Sequence, residues 1–349
     1  MVMAPQVSVI IPARNEEASL GACLDSFSDQ SGFSFEVIVV DDHSTDRTKE
    51  IAKSMPGVQV IDADPLRPGW TGKNNAIVTG LRLVRCKWIL FTDADTIHLP
   101  GSLPRALDEA RSNQVDMLSY SPEQIAVTLW ERATLPVVFA ELARQYPPSK
   151  VSDPNSPEAA ANGQYILVRR EAYEAVGGHA AVASEILEDV ALARAFKAAG
   201  YKIRFRYAPD AVRTRMYRNF SQLREGWTKN LAVLFPNPGW LAIRLLLLWA
   251  FPWVVLSLRL AHVLTDLSWD TVFILGLVFH FLRIRSSNFG IEKIVLGAIF
   301  GVPMFAYLLL RSKRAHSKGS VAWKGRSYDQ KDSTSKRSEP TSVSAGRIS

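Results

Sequence analysis

The chain has 349 residues, 47% of them hydrophobic, with 41 Lys and Arg against 34 Asp and Glu and two cysteines. That length allows one large domain or two of ordinary size, with a core that needs no disulfide or metal staple. Cys23 and Cys86 are too few for a disulfide framework and stand in no metal-ligand spacing, which points to a reducing compartment. The net charge of +7 is local: residues 311–349 carry ten Lys and Arg against three Asp and Glu, leaving 31 of each sign in residues 1–310. The basic balance therefore belongs to a tail, and no nucleic-acid partner is expected.

Taken in chain order, MVMAPQVSVIIPARNEE has no basic n-region and a short apolar run, so a signal peptide is not expected. Residues 7–11 form a candidate buried strand, followed by candidate strands at 36–40 (EVIVV), 58–61, 88–91 (WILF) and 117–120. Between them, residues 18–27, 47–53, 74–84 and 103–111 carry apolar side chains at helical spacing. That cadence predicts an α/β fold with a mostly parallel sheet covered on both faces. From residue 241 the pattern changes to three apolar runs, 241–258, 271–282 and 294–310, of 18, 12 and 17 residues. A bilayer core takes about 20 apolar helical residues, and Trp240, Trp249, Trp253 and Trp269 stand where interfaces would fall. Buried helices of a soluble core are the competing reading. The expected organisation is a catalytic domain over 1–235, a membrane region of two or three helices over 236–311, and a basic, largely disordered tail over 312–349.

Polar clusters follow the candidate strands. Pro12, Arg14, Asn15 and Glu16 come after the first, where the crevice of a parallel sheet lies; taken alone, an ordinary helix-capping loop explains them better. Asp41 and Asp42 close EVIVV and could accept hydrogen bonds from a nucleobase or ribose, while Ser44, Thr45 or Asp46 could cap the next helix. Asp93 and Asp95 close WILF as Asp-x-Asp, a pair suited to a hard divalent cation that also bridges phosphates. Gly69-Trp70-Thr71-Gly72-Lys73 lacks Walker spacing, yet Lys73 at a helix start is placed to meet phosphate oxygens. Glu188 and Asp189 open a helix, either as dipole-matching acids or with Asp189 as a general base. Arg224, Trp227 and Lys229 precede the first apolar run as an interfacial anchor or a cationic clamp on a leaving diphosphate.

Together these residues resemble the family 2 glycosyltransferases, which have the GT-A fold, over roughly residues 6–235. VSVIIPARNE matches the family's opening strand and nucleotide loop, VVDDHSTD its base- and ribose-contacting signature, and TDAD its metal-binding Asp-x-Asp. Asn162 and Gln164 with Gly177-Gly178-His179 resemble the acceptor-side loop, and Glu188-Asp189 the motif whose Asp serves as base. Trp70–Lys73, Trp227–Asn230 and Trp323-Lys324-Gly325-Arg326 further resemble a membrane-bound branch that includes carotenoid- and hopanoid-associated enzymes. The Gln-x-x-Arg-Trp of processive polysaccharide synthases is not matched, since Gln222, Arg224 and Trp227 have a different spacing.

The resemblance implies an inverting, Mg²⁺- or Mn²⁺-dependent, non-processive transfer from a nucleotide sugar to a lipid or terpenoid acceptor at the membrane. A nucleotidyltransferase and a processive polysaccharide synthase are the alternatives. The implied location is a multi-pass protein of the inner membrane with its catalytic domain in the cytosol. Loop 264–270 is acidic and 283–293 basic, as two crossings require, but a third crossing would put the basic tail outside. A re-entrant or interfacial run, with residues 323–326 near the catalytic domain or the inner leaflet, is therefore expected.

Overall fold

In the computed structural model, which describes residues 4–319, 321–323 and 326–328, the run VSVIIPA forms β1 (Val7–Ala13) inside a seven-stranded sheet. The chain continues through α1 (Leu20–Ser28), β2 (Phe35–Asp41), α2 (Thr48–Ser54), β3 (Val58–Asp62), α3 (Gly72–Gly80) and β4 (Trp88–Phe91). Next come β5 (Thr96–His98), α4 (Ser102–Ser112), β6 (Met117–Ser121), β7 (Glu123–Gln124), α5 (Leu129–Gln145) and α6 (Pro148–Ser152). They lead to β8 (Ile166–Arg169), α7 (Arg170–Ala175), α8 (Gly178–Ala181), α9 (Glu188–Ala198), β9 (Ile203–Tyr207) and β10 (Val212–Thr214). Helices α10 (Phe220–Leu234), α11 (Pro238–Leu260), α12 (Ser268–Arg285), α13 (Ile291–Leu296) and α14 (Val302–Ser317) follow, the last two joined by a π-helical turn at Gly297–Gly301.

The sheet order is β3-β2-β1-β4-β8-β6-β9. All neighbours are parallel except β8, which is antiparallel to both β4 and β6. Side chains of β1 alternate between two cores. Val7, Val9 and Ile11 meet α1 and α4 through Leu24, Phe27 and Leu107, and Ile10 meets α3 and α9 through Ile77 and Phe196. Strands buried on both faces are apolar throughout, which is why WILF and VIVV carry no alternation. Each such Ile or Leu contributes about 1.5–3 kcal/mol by leaving water. Register sets the carboxyl ends of β1 and β2 level, Ala13 pairing with Asp41, while β4 ends at Phe91 opposite Ile10 and its following loop continues toward that edge. The loops after β1, β2 and β4 therefore meet along one edge.

A third core joins Leu135, Val138, Trp227 and Leu231 to Ala242, Leu245, Ile294 and Phe305, so packing continues across residue 235. At its centre the π-helical turn crosses α5 at near backbone contact: a Cβ on Gly301 would stand 2.0 Å from the Ala133 carbonyl oxygen.

The apolar runs depart from the expected arrangement. Among the described residues, two helices are long and apolar enough to cross a membrane by length and composition, Pro238–Leu260 and Ile291–Ser317. Run 271–282 lies in α12, which carries Asp270, Arg283 and Arg285 near its ends. Ile291–Ser317 is tied to α5 and α10 near its two ends, Arg132 pairing with Glu292 at 2.8 Å and the Ser312 hydroxyl donating to the Thr228 carbonyl at 2.6 Å. It lies along those elements, so a multi-pass arrangement is not supported. The helix also continues to Ser317, past the expected start of a disordered tail. Val321–Trp323 and Arg326–Tyr328 pair as short antiparallel strands, and residues 320, 324–325 and 329–349 lie outside the described residues.

Candidate active site

A cleft of about 770 Å³ opens at the carboxyl ends of β1, β2 and β4. Its first wall is the loop after β1, stitched to the loop after β2. The Asn15 amide donates to Ser44 Oγ at 3.0 Å, Thr45 N–H donates to Asn15 Oδ1 at 2.9 Å, and Glu16 N–H donates to Thr48 Oγ1 at 2.7 Å. Arg14 Nη1 donates to the Asp42 carbonyl at 2.8 Å and stands 3.9 Å from its carboxylate. Pro12, Arg14, Asn15, Glu16 and Asp42 all line the cleft. Asp41 does not: it is 3% exposed and its Oδ2 accepts the Ser44 N–H at 3.3 Å, a loop-shaping role.

The floor is an ion-pair bridge. Thr71 caps α3, its side chain accepting the Asn74 N–H, and so places Lys73 in the first turn. Lys73 Nζ lies 2.7 Å from Asp93 Oδ1 and 2.7 Å from Glu188 Oε1. Burial opposes the ammonium charge, but the two carboxylates outweigh it and hold Lys73 protonated well above its usual range. Burial would likewise raise Glu188, and Lys73 reverses that and lowers it. Asp189 accepts the Gly163 N–H at 2.9 Å; burial, then the neighbouring Glu188 charge, push its carboxyl up to about 6. Gly163 must stay small, since a Cβ there would come within 2.8 Å of Lys73 Nζ. Beside it Asn162 N–H donates to Ser119 Oγ at 2.8 Å, and Gln164 Nε2 donates to Thr214 Oγ1 at 3.2 Å.

Asp93 and Asp95 both line the cleft, and among the described residues no group of three or more His, Cys, Asp or Glu is placed to hold a metal ion. A paired-carboxylate site of that kind fits a hard ion that keeps waters and takes its remaining ligands from a donor's diphosphate.

Lys229 and Trp227 reach the cleft from α10, and burial lowers the Lys229 ammonium. Besides Asp41, two expected residues lie outside its lining. His179 is 1% exposed behind it, where its Nδ1 shares a 2.8 Å hydrogen bond with the Tyr173 hydroxyl and burial lowers it to about 4. Arg224 turns its guanidinium over the Phe220 ring at 5.9 Å. The structure adds cleft residues that had not been singled out: Phe139, Tyr217, Arg215 and residues 286–289. The capping box Thr128–Glu131 marks the start of α5, which carries Phe139, and is visible in the sequence. Residues 286–289 carry no such mark.

Residues 8–177 match the sequence profile described as "Glycosyl transferase family 2". The chain is 30% identical over 339 residues to a 4,4'-diaponeurosporenoate glycosyltransferase of Staphylococcus aureus (strain MRSA252), covering 92% of this chain and 88% of that one. The chain belongs to glycosyl transferase family 2. The corresponding protein of strain USA300 is 29% identical over the same coverage. A mannosyltransferase from Pyrobaculum calidifontis, solved in complex with GDP-Man and Mn²⁺, superposes with a TM-score of 0.50 at 17% identity, over 90% of this chain and 88% of that one. That likeness shows a shared fold, of the GT-A type, and the protein is a family 2 glycosyltransferase.

Proposed function

We propose that this glycosyltransferase moves a single sugar from a nucleotide-sugar donor to the terminal oxygen of a lipid or terpenoid acceptor, with inversion and without building a polymer. The observation that carries the reading is the Lys73 bridge. It brings Asp93, on the donor-phosphate side, and the Glu188–Asp189 pair, on the acceptor side, into one cleft. The Staphylococcus aureus relatives are named for diaponeurosporenoate, which supports a long apolar acceptor. The exposed apolar face of α11, with Trp240, Leu247 and Phe251 each more than half exposed, supports attachment to a membrane. The catalytic cleft is placed on the cytosolic side, where nucleotide sugars are.

In this reading Pro12, Arg14, Asn15, Glu16 and Asp42 receive the base and ribose. Asp93 and Asp95 would hold Mg²⁺ or Mn²⁺, which when bound supplies Lewis-acid neutralisation of the diphosphate. Asp189 takes the proton from a hydroxyl acceptor as that oxygen bonds to the anomeric carbon, whereas a carboxylic acceptor is already ionised and attacks without that transfer. The bond from that carbon to the diphosphate oxygen breaks on the opposite face, inverting the centre and releasing a nucleoside diphosphate. Lys73 and Lys229 are preorganised cations for the charge that develops on the leaving group, and Asn162 and Gln164 shape the acceptor side. Purified enzyme given a panel of nucleotide sugars with membrane lipid extract should release nucleoside diphosphate with one donor and yield a lipid heavier by one sugar residue. Absence of lipid-dependent release across the panel would refute the proposal.

A further inference from the structure

The cleft does not end at the carboxylates. Four rings from four segments follow one another away from them: Tyr217 before α10, Trp227 on α10, Phe139 on α5 and Phe289 between α12 and α13. Successive ring centroids lie 6.0, 6.1 and 6.2 Å apart. The far end is closed by residues 286–289, where α12 returns to the catalytic elements. A buried clasp fixes that return: Arg283 Nε and Nη2 donate to the Glu141 carboxylate at 3.0 and 2.9 Å, and Arg144 Nη1 donates to it at 2.9 Å. The Glu141 side chain is 5% exposed.

Two donors on this arm are unsatisfied. Trp227 Nε1 and Ser287 Oγ have no hydrogen-bond partner among the described residues, and their residues are 3% and 6% exposed. A hydrocarbon chain would give these two donors no acceptor, so the occupant is read from the four rings instead. A nucleotide sugar has polar groups throughout, and the opposite end of the cleft supplies Arg14, Asn15, Asp42 and Lys73 for them. What matches a row of aromatic rings is an apolar chain.

We infer that the arm lined by Tyr217, Trp227, Phe139 and Phe289 binds the apolar chain of the acceptor, and that the turn between α12 and α13, held by Glu141 and Arg283, forms its distal wall. The inference rests on the lipid-acceptor reading above. It makes the C-terminal helices part of the acceptor site as well as an attachment. Phe289 is then an acceptor-binding residue that sets chain-length preference, and Glu141 a positioning residue.

The test uses the full chain in detergent micelles with a donor and two acceptors that share one carboxyl head, a long isoprenoid acid and an analogue shorter than the arm. Wild type should prefer the long acid. Phe289→Ala should cut that preference about tenfold, through KM for the long acid more than through kcat, the size expected for one lost apolar contact. Phe289→Leu, which keeps apolar bulk, should recover most of it, and Glu141→Gln should show the same KM-weighted loss. Titration with nucleoside diphosphate should give donor-side affinity within twofold of wild type in every variant, which separates loss of the arm from loss of the fold. Equal losses on both acceptors, or an unaltered preference in Phe289→Ala, would overturn the inference while leaving lipid glycosylation standing. If wild type glycosylates neither acid nor any lipid in an extract, the parent reading fails and takes the arm with it.

Discussion

Replacing Asp189 by Asn should abolish transfer while making the protein more stable at neutral pH. The side chain keeps its volume and an oxygen for the Gly163 N–H, so the loop beside Lys73 holds its shape. The carboxyl stands at about 6 in the fold against an ordinary 3.8, with burial and then Glu188 as causes. Because the folded value is raised, this group's contribution to stability is complete below about pH 4 and is lost as pH rises through about 6. At pH 7 the folded chain therefore carries a charge that costs up to about 3 kcal/mol, and a neutral Asn removes that cost. The expected melting temperature is several degrees above wild type at pH 7, with the gap shrinking as pH falls toward 4. Transfer should fall by roughly 10²–10⁴-fold, the usual contribution of a general base, while nucleoside diphosphate affinity holds. In wild type, kcat/KM should drop tenfold per pH unit below about 6, where the base becomes protonated. A purely structural Asp189 that favours the N-terminus of α9 gives the opposite sign, a loss of about 0.3–1 kcal/mol in the Asn variant. A lowered melting point with transfer retained would refute the base assignment.

Three further outcomes are expected. Treating the enzyme with EDTA should stop turnover, and Mg²⁺ or Mn²⁺ should restore it; undiminished turnover after chelation would remove Asp93 and Asp95 from any metal role. Lys73→Ala withdraws the cation 2.7 Å from both Asp93 and Glu188 and should cost about 10²–10³ in kcat, measured at saturating donor; a change below threefold would show that Lys73 only spaces the carboxylates. Gly301→Ala, whose methyl would meet the Ala133 carbonyl oxygen at 2.0 Å, should cost about 1–3 kcal/mol in thermal or denaturant unfolding. Gly239→Ala meets the movable end of Lys313 instead and should stay within about 0.5 kcal/mol, so equal effects would refute the close-contact argument.

The parallel half of the sheet was legible because apolar β-branched runs ended in polar clusters, and WILF at 88–91 is the strand β4 residue for residue. The same logic located Asp42, Asp93 and Asp95, whose place follows from strand ends. It failed for α5, which buries Ala133, Leu135, Pro136, Val137, Val138 and Ala140 on several sides and so shows no single apolar stripe. His179 was placed by its neighbouring glycines, yet the Tyr173 hydroxyl captures it behind the wall. Residues 286–289 could not be found from spacing, because their part in the cleft depends on how far α11 and α12 travel before the chain returns. Nor does the sequence mark Gly297 and Gly301 as the place where two helices touch.

That contact has a consequence for how the enzyme is made. A ribosome releases α5 long before the segment 291–317 that covers it, so a nascent chain that has reached residue 235 still has Leu135, Val138 and Trp227 without the partners that bury them. The carboxylates and the lysine are by then already synthesised, but residues 286–289 of the cleft are not. Activity should therefore switch on late in synthesis, once the C-terminal helices have settled against α5 and α10. A shortened gene ending at the last strand would yield an adhesive fragment in place of a soluble catalyst.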